Sequence, residues 1–334
     1  MKVLITGGAG FVGSEFGKYL HSKGIDVVPL DNMEYGYEDN LSDCPELHRK
    51  LIIDDVRNKD FSKFLEGIDV VFHFAGISSL PECESNPGKA FDVNTVSIAN
   101  ILSAARSSKV KRFVFASTSA IYENNKESIF NEELPVFPNL IYATTKYCAE
   151  NLCRSFAQNY DMDIVICRFF NVFGPHQDFK RAYPPFTSYL IREISAGQTP
   201  TVFNTSDVKR DYIYTKDLVV FLESMMNSNK RYCADVFNLC SGKGYSAIEI
   251  VQTIFKLFNK ETTINTGDPA KFWDKYTQLF DKTYNLSKER ISKEVFKHCI
   301  GSPDKANKEF NYSCKYNLEN GLIEVIDYQR NAKM

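Results

Sequence analysis

The chain has 334 residues, a formal net charge of −2 and 43% hydrophobic residues. This length and apolar content suffice for one large domain, or for a main domain with a smaller companion. The near-neutral charge gives no indication of a nucleic-acid partner, and the basic run Lys109–Arg112 is best interpreted as a solvated approach to a strand.

Nine cysteines occur without a CxxC pair or a regular spacing. This usage is typical of reduced, mostly buried thiols and predicts a cytoplasmic protein. The first apolar run is short and ends in a glycine turn, which predicts a strand and not a signal peptide. No run approaches the roughly 18 apolar residues of a membrane-spanning helix, and the five histidines lack a paired spacing, so we expect neither a membrane span nor a metal site.

The first element of the chain combines a strand, a glycine turn and the start of a helix. The apolar run Lys2–Ile5 leads directly into TGGAGFVG, residues 6–13. Glycines at this spacing let the backbone turn sharply and approach a pyrophosphate, while the helix N-terminus faces its negative charge. The motif predicts a dinucleotide cradle formed by Gly7, Gly10, Phe11, Val12 and Gly13.

A second apolar strand, Val27–Leu30, ends in Asp31 and Asn32, about twenty residues beyond the glycine turn. A carboxylate here accepts hydrogen bonds from the adenosine ribose, but it would repel a 2′-phosphate. No arginine follows Asp31 to neutralise such a phosphate. The pattern therefore favours NAD over NADP.

Short apolar runs without polar alternation recur along the first half of the chain, separated by segments of helical length. They lie at Val3–Ile5, Asp26–Leu30, Leu51–Ile53, Val70–Phe74, Phe113–Ala116 and Ile164–Arg168. Strands that alternate with helices predict an α/β fold with a Rossmann-type parallel sheet that is doubly wound, covered by helices on both faces.

The organisation changes at Gly174, where prolines begin to interrupt the chain. Two later runs, Arg210–Tyr214 and Asp235–Leu239, are interpreted as returns to the first lobe. We therefore predict an NAD-binding domain at residues 1–173 with returning segments at about 208–240. A smaller, discontinuous substrate-binding lobe is predicted at residues 174–207 and 241–330, with the ligand cleft between the lobes.

Tyr142 and Lys146 are the strongest candidates for chemistry. They lie four residues apart at the start of an amphipathic stretch that reaches Tyr160, so a helix would place both on one face. An adjacent ammonium and an oxidised nicotinamide would both favour the tyrosine phenolate, which is a base. The strand before them ends in hydroxyls at residues 117–119, which either serve the reaction or cap the strand.

Two other residues, His73 and Trp273, are not assigned to the reaction. His73 lies inside an apolar strand and is interpreted as structural. Trp273 either stacks on a base or packs in a core, and the sequence does not choose between these alternatives.

With these residues in place, the chain resembles the extended short-chain dehydrogenase/reductase family, in its nucleotide-sugar epimerase and dehydratase branch, typified by UDP-glucose 4-epimerase. The resemblance covers nearly the whole length. Its motifs occur in the family's order: TGGAGFVG, Asp31–Asn32, Asp55–Arg57, His73–Gly76, Asn94, the hydroxyl triplet, YxxxK at 142–146, Arg168–Pro175, Arg210–Tyr214 and Asn317–Leu322.

The resemblance implies a role for each matched residue. Thr118 and Tyr142 would form the catalytic pair, with Lys146 on the nicotinamide ribose. Further cofactor contacts would come from Asp55, Val56, Phe74, Ala75, Gly76 and Asn94. The nucleotide-diphosphate sugar would meet Ser119, Asn171, Arg210 and Lys271.

The resemblance further implies that Tyr142 takes the proton of a sugar C4 hydroxyl while hydride passes to NAD. A 4,6-dehydratase would need an Asp-Glu pair after the threonine, where this chain has Ser119 and Ala120. We therefore favour C4 epimerisation of a nucleotide-activated hexose, with a UDP-sugar as the expected substrate. A 4-keto reductase or a C4 dehydrogenase stays as the alternative.

A hypothesis of another class is an NAD-binding redox sensor, although such a protein has no need of an intact Thr118, Tyr142 and Lys146. Two segments, 91–107 and 142–160, resemble the helices through which family members form homodimers. A role in polysaccharide biosynthesis follows only from the resemblance. The segment Lys271–Asp274 departs from the family's usual Arg-Pro-Gly-Asp diphosphate clamp, so the sugar is not assigned.

Overall fold

The computed structural model describes residues 1–181, 184–268, 273–274, 276–280 and 283–332. The strands of this part are β1 Lys2–Thr6, β2 Asp26–Asp31, β3 Ile52–Ile53, β4 Val70–His73, β5 Arg112–Thr118, β6 Ile164–Phe169, β7 Asn171–Phe173, β8 Thr201–Val202, β9 Lys209–Tyr214, β10 Cys233–Leu239, β11 Gly244–Ser246 and β12 Asn265–Thr266.

Helices connect and cover these strands. In chain order they are α1 Phe11–Ser22, α2 Pro45–Arg49, α3 Leu80–Ser85, α4 Pro87–Phe91, α5 Ser97–Ser107, α6 Ile141–Tyr160, α7 Phe186–Ser195, α8 Thr215–Asn227, α9 Ala247–Leu257, α10 Lys288–Val295, α11 Asp304–Phe310 and α12 Leu318–Asn331.

A seven-stranded parallel sheet forms the large lobe, in the order β10-β6-β5-β4-β1-β2-β3. Alternate residues of β1 face opposite sides, so Val3 and Ile5 pack in the core under α1 and α8, whereas Leu4 packs in the core under α5 and α6. Both faces are therefore covered, and the predicted doubly wound Rossmann-type fold is confirmed. The six strands expected from the first half of the sequence all lie in this sheet.

The small lobe contains two short sheets, β11-β9-β7 and β12-β8, with α7, α9 and α12 packed around a third core. The capping box of α9, in which Ser246 and Glu249 each bond the other's backbone N–H, fixes where that helix starts. Of the two runs interpreted as returns to the large lobe, β10 does pair with β6 in the large sheet. The other, β9, pairs instead with β7, because the chain leaves the large sheet at Phe170 and continues in a new direction.

Of the basic run Lys109–Arg112, Lys111 is exposed, as expected of a solvated approach to a strand, but Arg112 is the first residue of β5 and is buried. Lys111 pairs with Asp69 and Arg112 pairs with Asp163, each at 2.8 Å. All nine cysteines are free thiols. No helix in the described ranges is both long and apolar enough to cross a membrane.

Candidate active site

The glycine turn between β1 and α1 has the shape of a phosphate cradle. Gly7 has a positive φ of 70°, and a Cβ there would lie 2.8 Å from the backbone nitrogen of Ala75. A Cβ on Gly13 would lie 2.0 Å from the carbonyl oxygen of Gly7. The backbone therefore closes on itself at these positions and leaves the N-terminus of α1 open to a ligand.

A cleft with a volume of about 330 Å³ lies above this turn. Eleven of the predicted cofactor residues line it: Gly7, Gly10, Phe11, Val12, Gly13, Asp31, Asn32, Val56, Phe74, Ala75 and Gly76. The small lobe closes the cleft with residues that the sequence analysis missed, among them His176, Gln177 and Asp178. The cradle and the cleft fit an elongated dinucleotide.

Asp31, at the end of β2, is only 7% exposed and serves two purposes. Its carboxylate accepts hydrogen bonds from the backbone N–H groups of Ala9 (3.0 Å) and Met33 (2.9 Å). Burial raises the pKa of Asp31, and these N–H groups oppose the rise. The carboxylate thus braces the glycine turn as well as facing the cleft where a ribose is expected.

Two further residues predicted to contact the cofactor, Asp55 and Asn94, hydrogen-bond to neighbouring protein groups. Asp55 accepts hydrogen bonds from Asn32 (2.8 Å) and from two nitrogens of Arg57 (2.8 and 2.7 Å). The Arg57 guanidinium holds the pKa of Asp55 well below its usual range. Asp55 therefore orients Asn32, which does line the cleft.

Asn94 is the second such residue. It lies in a π-helical turn at Asp92–Val96, accepts a hydrogen bond from the N–H of Ile77 (2.9 Å) and donates to the Ile77 carbonyl (3.0 Å) and to Thr145 Oγ1 (3.1 Å). Through these three hydrogen bonds, Asn94 holds the loop after β4 in place and ties it to α6.

The hydroxyls at the end of β5 meet the start of α6. Thr118 Oγ1 accepts a hydrogen bond from the N–H of Ala120 (3.1 Å), which leaves its proton free. Thr118 also lies close to the Tyr142 hydroxyl, where it opposes the rise in the pKa of that tyrosine. The third hydroxyl, Ser119, lies close to Cys299. The structure thus brings together Thr118 and Tyr142, the two residues that the resemblance pairs.

Lys146 follows Tyr142 by one helical turn and is buried. Its Nζ donates a hydrogen bond to the Ala116 carbonyl (2.9 Å) and lies 5.0 Å from the centre of the Phe115 ring. Burial lowers the pKa of Lys146 to about 8, and burial raises the pKa of Tyr142 to about 12. Desolvation of the phenolate is the main cause of the raised pKa of Tyr142, and Thr118 opposes it.

His73 has the structural role that the sequence predicted. Its Nδ1 lies 2.8 Å from Thr6 Oγ1, and its ring stacks between Phe113 and Phe115. Complete burial and the nearby Lys146 lower the pKa of His73 to about 3, so the ring is neutral. Among the described residues no group of His, Cys, Asp and Glu side chains is arranged to hold a metal ion.

A second cleft, of about 270 Å³, opens in the small lobe. Asn171 and Arg210 both line it, as expected for substrate residues, together with the aromatic rings of Tyr212 and Tyr245. Asn171 donates a hydrogen bond to the Asp211 carbonyl (2.8 Å). Lys271, the remaining predicted substrate residue, lies outside the described residues.

The segment 299–302 packs against β9 and Phe130. The N–H of Asp211 donates to the Cys299 carbonyl (2.8 Å), and the N–H of Phe130 donates to the Ile300 carbonyl (2.8 Å). A Cβ on Gly301 would lie 2.6 Å from both Cys240 and Phe170. The close packing at Gly301 explains the glycine, but a single glycine two residues before a proline gives no usable signal in the sequence.

Trp273 packs in a small apolar cluster with Leu140 and Ile291, next to the start of α6. This contact settles the question left open by the sequence in favour of packing, since the side chain is 3% exposed.

Comparison with known proteins places this geometry in a family. Residues 3–240 match the model of the NAD dependent epimerase/dehydratase family. The chain is 31% identical over 301 residues to a UDP-glucose 4-epimerase from Lactobacillus helveticus, covering 85% of this chain and 89% of that protein. It is 24% identical to a dTDP-glucose 4,6-dehydratase from Streptomyces niveus, covering 100% and 94%.

Among solved structures, the fold matches UDP-glucuronic acid 4-epimerase from Bacillus cereus in complex with UDP-glucuronic acid and NAD. The TM-score is 0.83, with 25% identity over 99% of each chain. The family is NAD-dependent, which confirms the expected cofactor. The chain belongs to the NAD dependent epimerase/dehydratase family.

Proposed function

We propose that this protein catalyses the NAD-dependent C4 epimerisation of a nucleotide-activated hexose, with a UDP-sugar as substrate. The observation that carries the proposal is the proximity of Thr118 and Tyr142, with Lys146 one turn away, at the carboxyl edge of the large sheet. These residues supply a base and a cation, and the neighbouring Ala120 supplies no further acid or base. Such a set suffices for epimerisation, whereas dehydration needs more proton-transfer groups.

In this reaction Tyr142 Oη takes the proton of the sugar C4 hydroxyl and returns it to the C4 oxygen after the keto sugar has presented its other face to the hydride. Thr118 Oγ1, which accepts from Ala120, would donate to the tyrosine oxygen and stabilise its charge. Lys146 holds the nicotinamide ribose and adds positive charge near the phenolate. NAD, when bound, supplies the hydride acceptor and donor at C4.

The residues that line the second cleft support the proposal that the sugar is linked to a nucleoside diphosphate. Tyr212 and Tyr245 offer aromatic surface for a base, and Arg210 offers a guanidinium for phosphate. The UDP-sugar is proposed because a UDP-glucose 4-epimerase and a UDP-glucuronic acid 4-epimerase are among the similar proteins. Because these two proteins are named for different sugars, they do not identify the hexose of this chain's substrate.

We also propose a homodimer formed through α5 and α6. The large apolar side chain of Val96, which precedes α5, is 52% exposed, and Tyr160 at the end of α6 is 50% exposed. Light scattering at micromolar concentration tests this proposal, and a monomer there would contradict it.

The function is tested by proton NMR of the purified protein with UDP-, dTDP-, GDP- and CDP-hexoses, without added cofactor. Interconversion of C4 epimers is expected for one nucleotide class, with Tyr142→Phe as the inactive control. Turnover that starts only after NAD or NADPH is added, with net oxidation or reduction of the sugar, would replace epimerisation with a dehydrogenase or keto-reductase.

A further inference from the structure

The guanidinium of Arg210 is held by α10 of the same chain. Arg210 Nη1 lies 3.4 Å from Glu294 Oε1, and Nη2 donates a hydrogen bond to the backbone carbonyl of Glu294. The Glu294 side chain is 12% exposed and that of Arg210 is 27% exposed. The contact is therefore largely shielded from water and weakly screened by salt.

Arg210 is also the charged member of the second cleft. Of the described residues that line this cleft, Arg210 alone carries a charge, and Val295, the neighbour of Glu294, lines it too. A diphosphate entering the cleft has this guanidinium as its partner among the lining residues. The Glu294 carboxylate already faces Nη1, and the Glu294 backbone carbonyl accepts from Nη2, so both terminal nitrogens that such a diphosphate would use have a partner.

Glu294 is negatively charged in its place. Burial alone would raise the pKa of Glu294, but Lys297, Arg210 and Arg290 together hold it below its ordinary value. An anion that binds Arg210 must therefore either displace the carboxylate or lie beside it.

The helix that carries Glu294 is anchored independently of Arg210. Arg290 forms an ion pair with Glu123, whose carboxylate also accepts the N–H of Leu140 at 2.9 Å. Ile291 packs with Leu140 and Trp273. Because these contacts hold α10 in place, a rotation of the Glu294 side chain is enough to release its ion pair with Arg210.

We propose that Glu294 is a specificity-determining residue whose carboxylate competes with the diphosphate of the substrate for Arg210. A ligand without a diphosphate does not displace the Glu294 carboxylate and forms no ion pair with Arg210. A diphosphate must displace this carboxylate before its own oxygens bind the guanidinium. Glu294 thereby lowers the affinity for free nucleoside diphosphate and keeps the product from being held too tightly. This inference rests on the proposed function, because it assumes that the second cleft takes a nucleoside diphosphate.

The test is isothermal titration calorimetry of the full chain, as purified with its cofactor, using UDP and uridine as probes. Glu294→Gln removes the charge and keeps the shape, and we expect it to bind UDP about tenfold more tightly, since relief from a shielded competing charge is of this order. Uridine affinity should not change. The matched control is Glu289→Gln, because Glu289 lies on the same helix in an exposed pair with Lys293 and should leave both affinities unchanged.

Glu294→Asp serves as a second variant in case the glutamine variant folds poorly, since it keeps the charge but withdraws it, and an intermediate gain is expected. Unchanged or weaker UDP binding by a folded Glu294 variant would overturn the inference. An equal gain for uridine would also overturn it, because the effect would then lie at the nucleoside. If wild type and all variants fail to bind UDP, the nucleotide assignment of the proposed function fails instead.

Discussion

Glu150 on α6 and Arg168 on β6 form a buried, two-pronged ion pair, with Oε1–Nε at 3.0 Å and Oε2–Nη2 at 2.9 Å. The same carboxylate accepts a hydrogen bond from Ser117 on β5 (2.6 Å). Glu150 lies one turn beyond Lys146 on the same helical face, and Ser117 directly precedes Thr118. The pair therefore joins three elements immediately beneath the catalytic candidates.

Removing this carboxylate should be costly for stability. Glu150→Ala leaves the Arg168 guanidinium buried without its counter-ion, and we expect a loss of about 3–5 kcal/mol in the free energy of unfolding. Asp26→Ala, which breaks an exposed pair with Lys50, should cost less than about 1 kcal/mol. Urea unfolding of both variants measures the difference, and equal losses would contradict the argument.

Tyr142→Phe should lower kcat by about 10²–10⁴-fold, because it removes the group that moves the C4 proton. NAD content should stay that of wild type, since the phenyl ring keeps its packing. Tyr284→Phe is a suitable control, because Tyr284 is 95% exposed and lines neither cleft. NMR turnover and cofactor release on denaturation provide the two readings, and a fully active Tyr142→Phe variant would exclude the mechanism.

The glycine turn should not tolerate a methyl group at Gly13. Gly13→Ala would bring Cβ to 2.0 Å from the Gly7 carbonyl oxygen, so the turn must open and NAD binding should be lost. Gly88→Ala, in α4, meets nothing within 4 Å and should be neutral or stabilising by about 0.5–1 kcal/mol. Absorbance of bound cofactor and thermal unfolding compare the two variants, and retention of NAD by Gly13→Ala would show that the turn is more adaptable than its geometry indicates.

The pKa of Lys146 predicts a loss of activity in alkali. Burial lowers the pKa of Lys146 from its ordinary 10.5 to about 8, so the ammonium is present below pH 8 and disappears above it. We expect kcat/KM to fall as the pH rises through about 8. Between pH 8 and 10.5 the Lys146 amine is protonated in the unfolded chain but largely neutral in the folded chain. The free energy of unfolding therefore rises with pH in this window.

Lys146→Arg is the variant that isolates this group, because arginine keeps its charge throughout the range. Its activity should be lower than that of wild type, but the alkaline fall near pH 8 should vanish. Persistence of the same fall in the arginine variant would assign it to another residue.

Asp31→Ala should lose NAD without gaining NADP. The carboxylate holds the N–H groups of Ala9 and Met33, so its removal loosens the turn that cradles the phosphates as well as removing the ribose partner. Competitive binding of NAD and NADP measures the outcome. Tight NADP binding by the alanine variant would mean that repulsion of the 2′-phosphate is the main task of Asp31.

The parts of the fold that the sequence predicted are those with local signals. The strands of the large sheet are short apolar runs, and the cradle and the Tyr142–Lys146 pair depend on spacings within one turn or one helix. Contacts between distant segments gave no such signal. The pairing of Arg210 with Glu294 spans 84 residues, and a charged residue on a polar helix has many possible partners.

The hydrogen-bond partners of individual side chains could not be predicted from the sequence either. Asn94 and Asp55 are predicted to contact the cofactor, and the structure adds that each hydrogen-bonds to neighbouring protein groups, which the sequence did not indicate. A match to a motif does not tell whether a residue contacts the cofactor directly or positions the residues that do. The raised pKa of Tyr142 has the same origin, because burial depends on all surrounding elements.

The position of segment 299–302 against Phe130 and β9 bears on how the protein matures. A ribosome delivers the glycine turn, Asp31 and the catalytic helix well before it delivers Cys299, and early domains fold while later ones are still being made. A nascent chain can thus form the glycine turn and α6 before segment 299–302 packs against β9. The surroundings of Arg210, which pairs with Glu294 and bridges to Cys299, are completed only when this late part of the chain has been made.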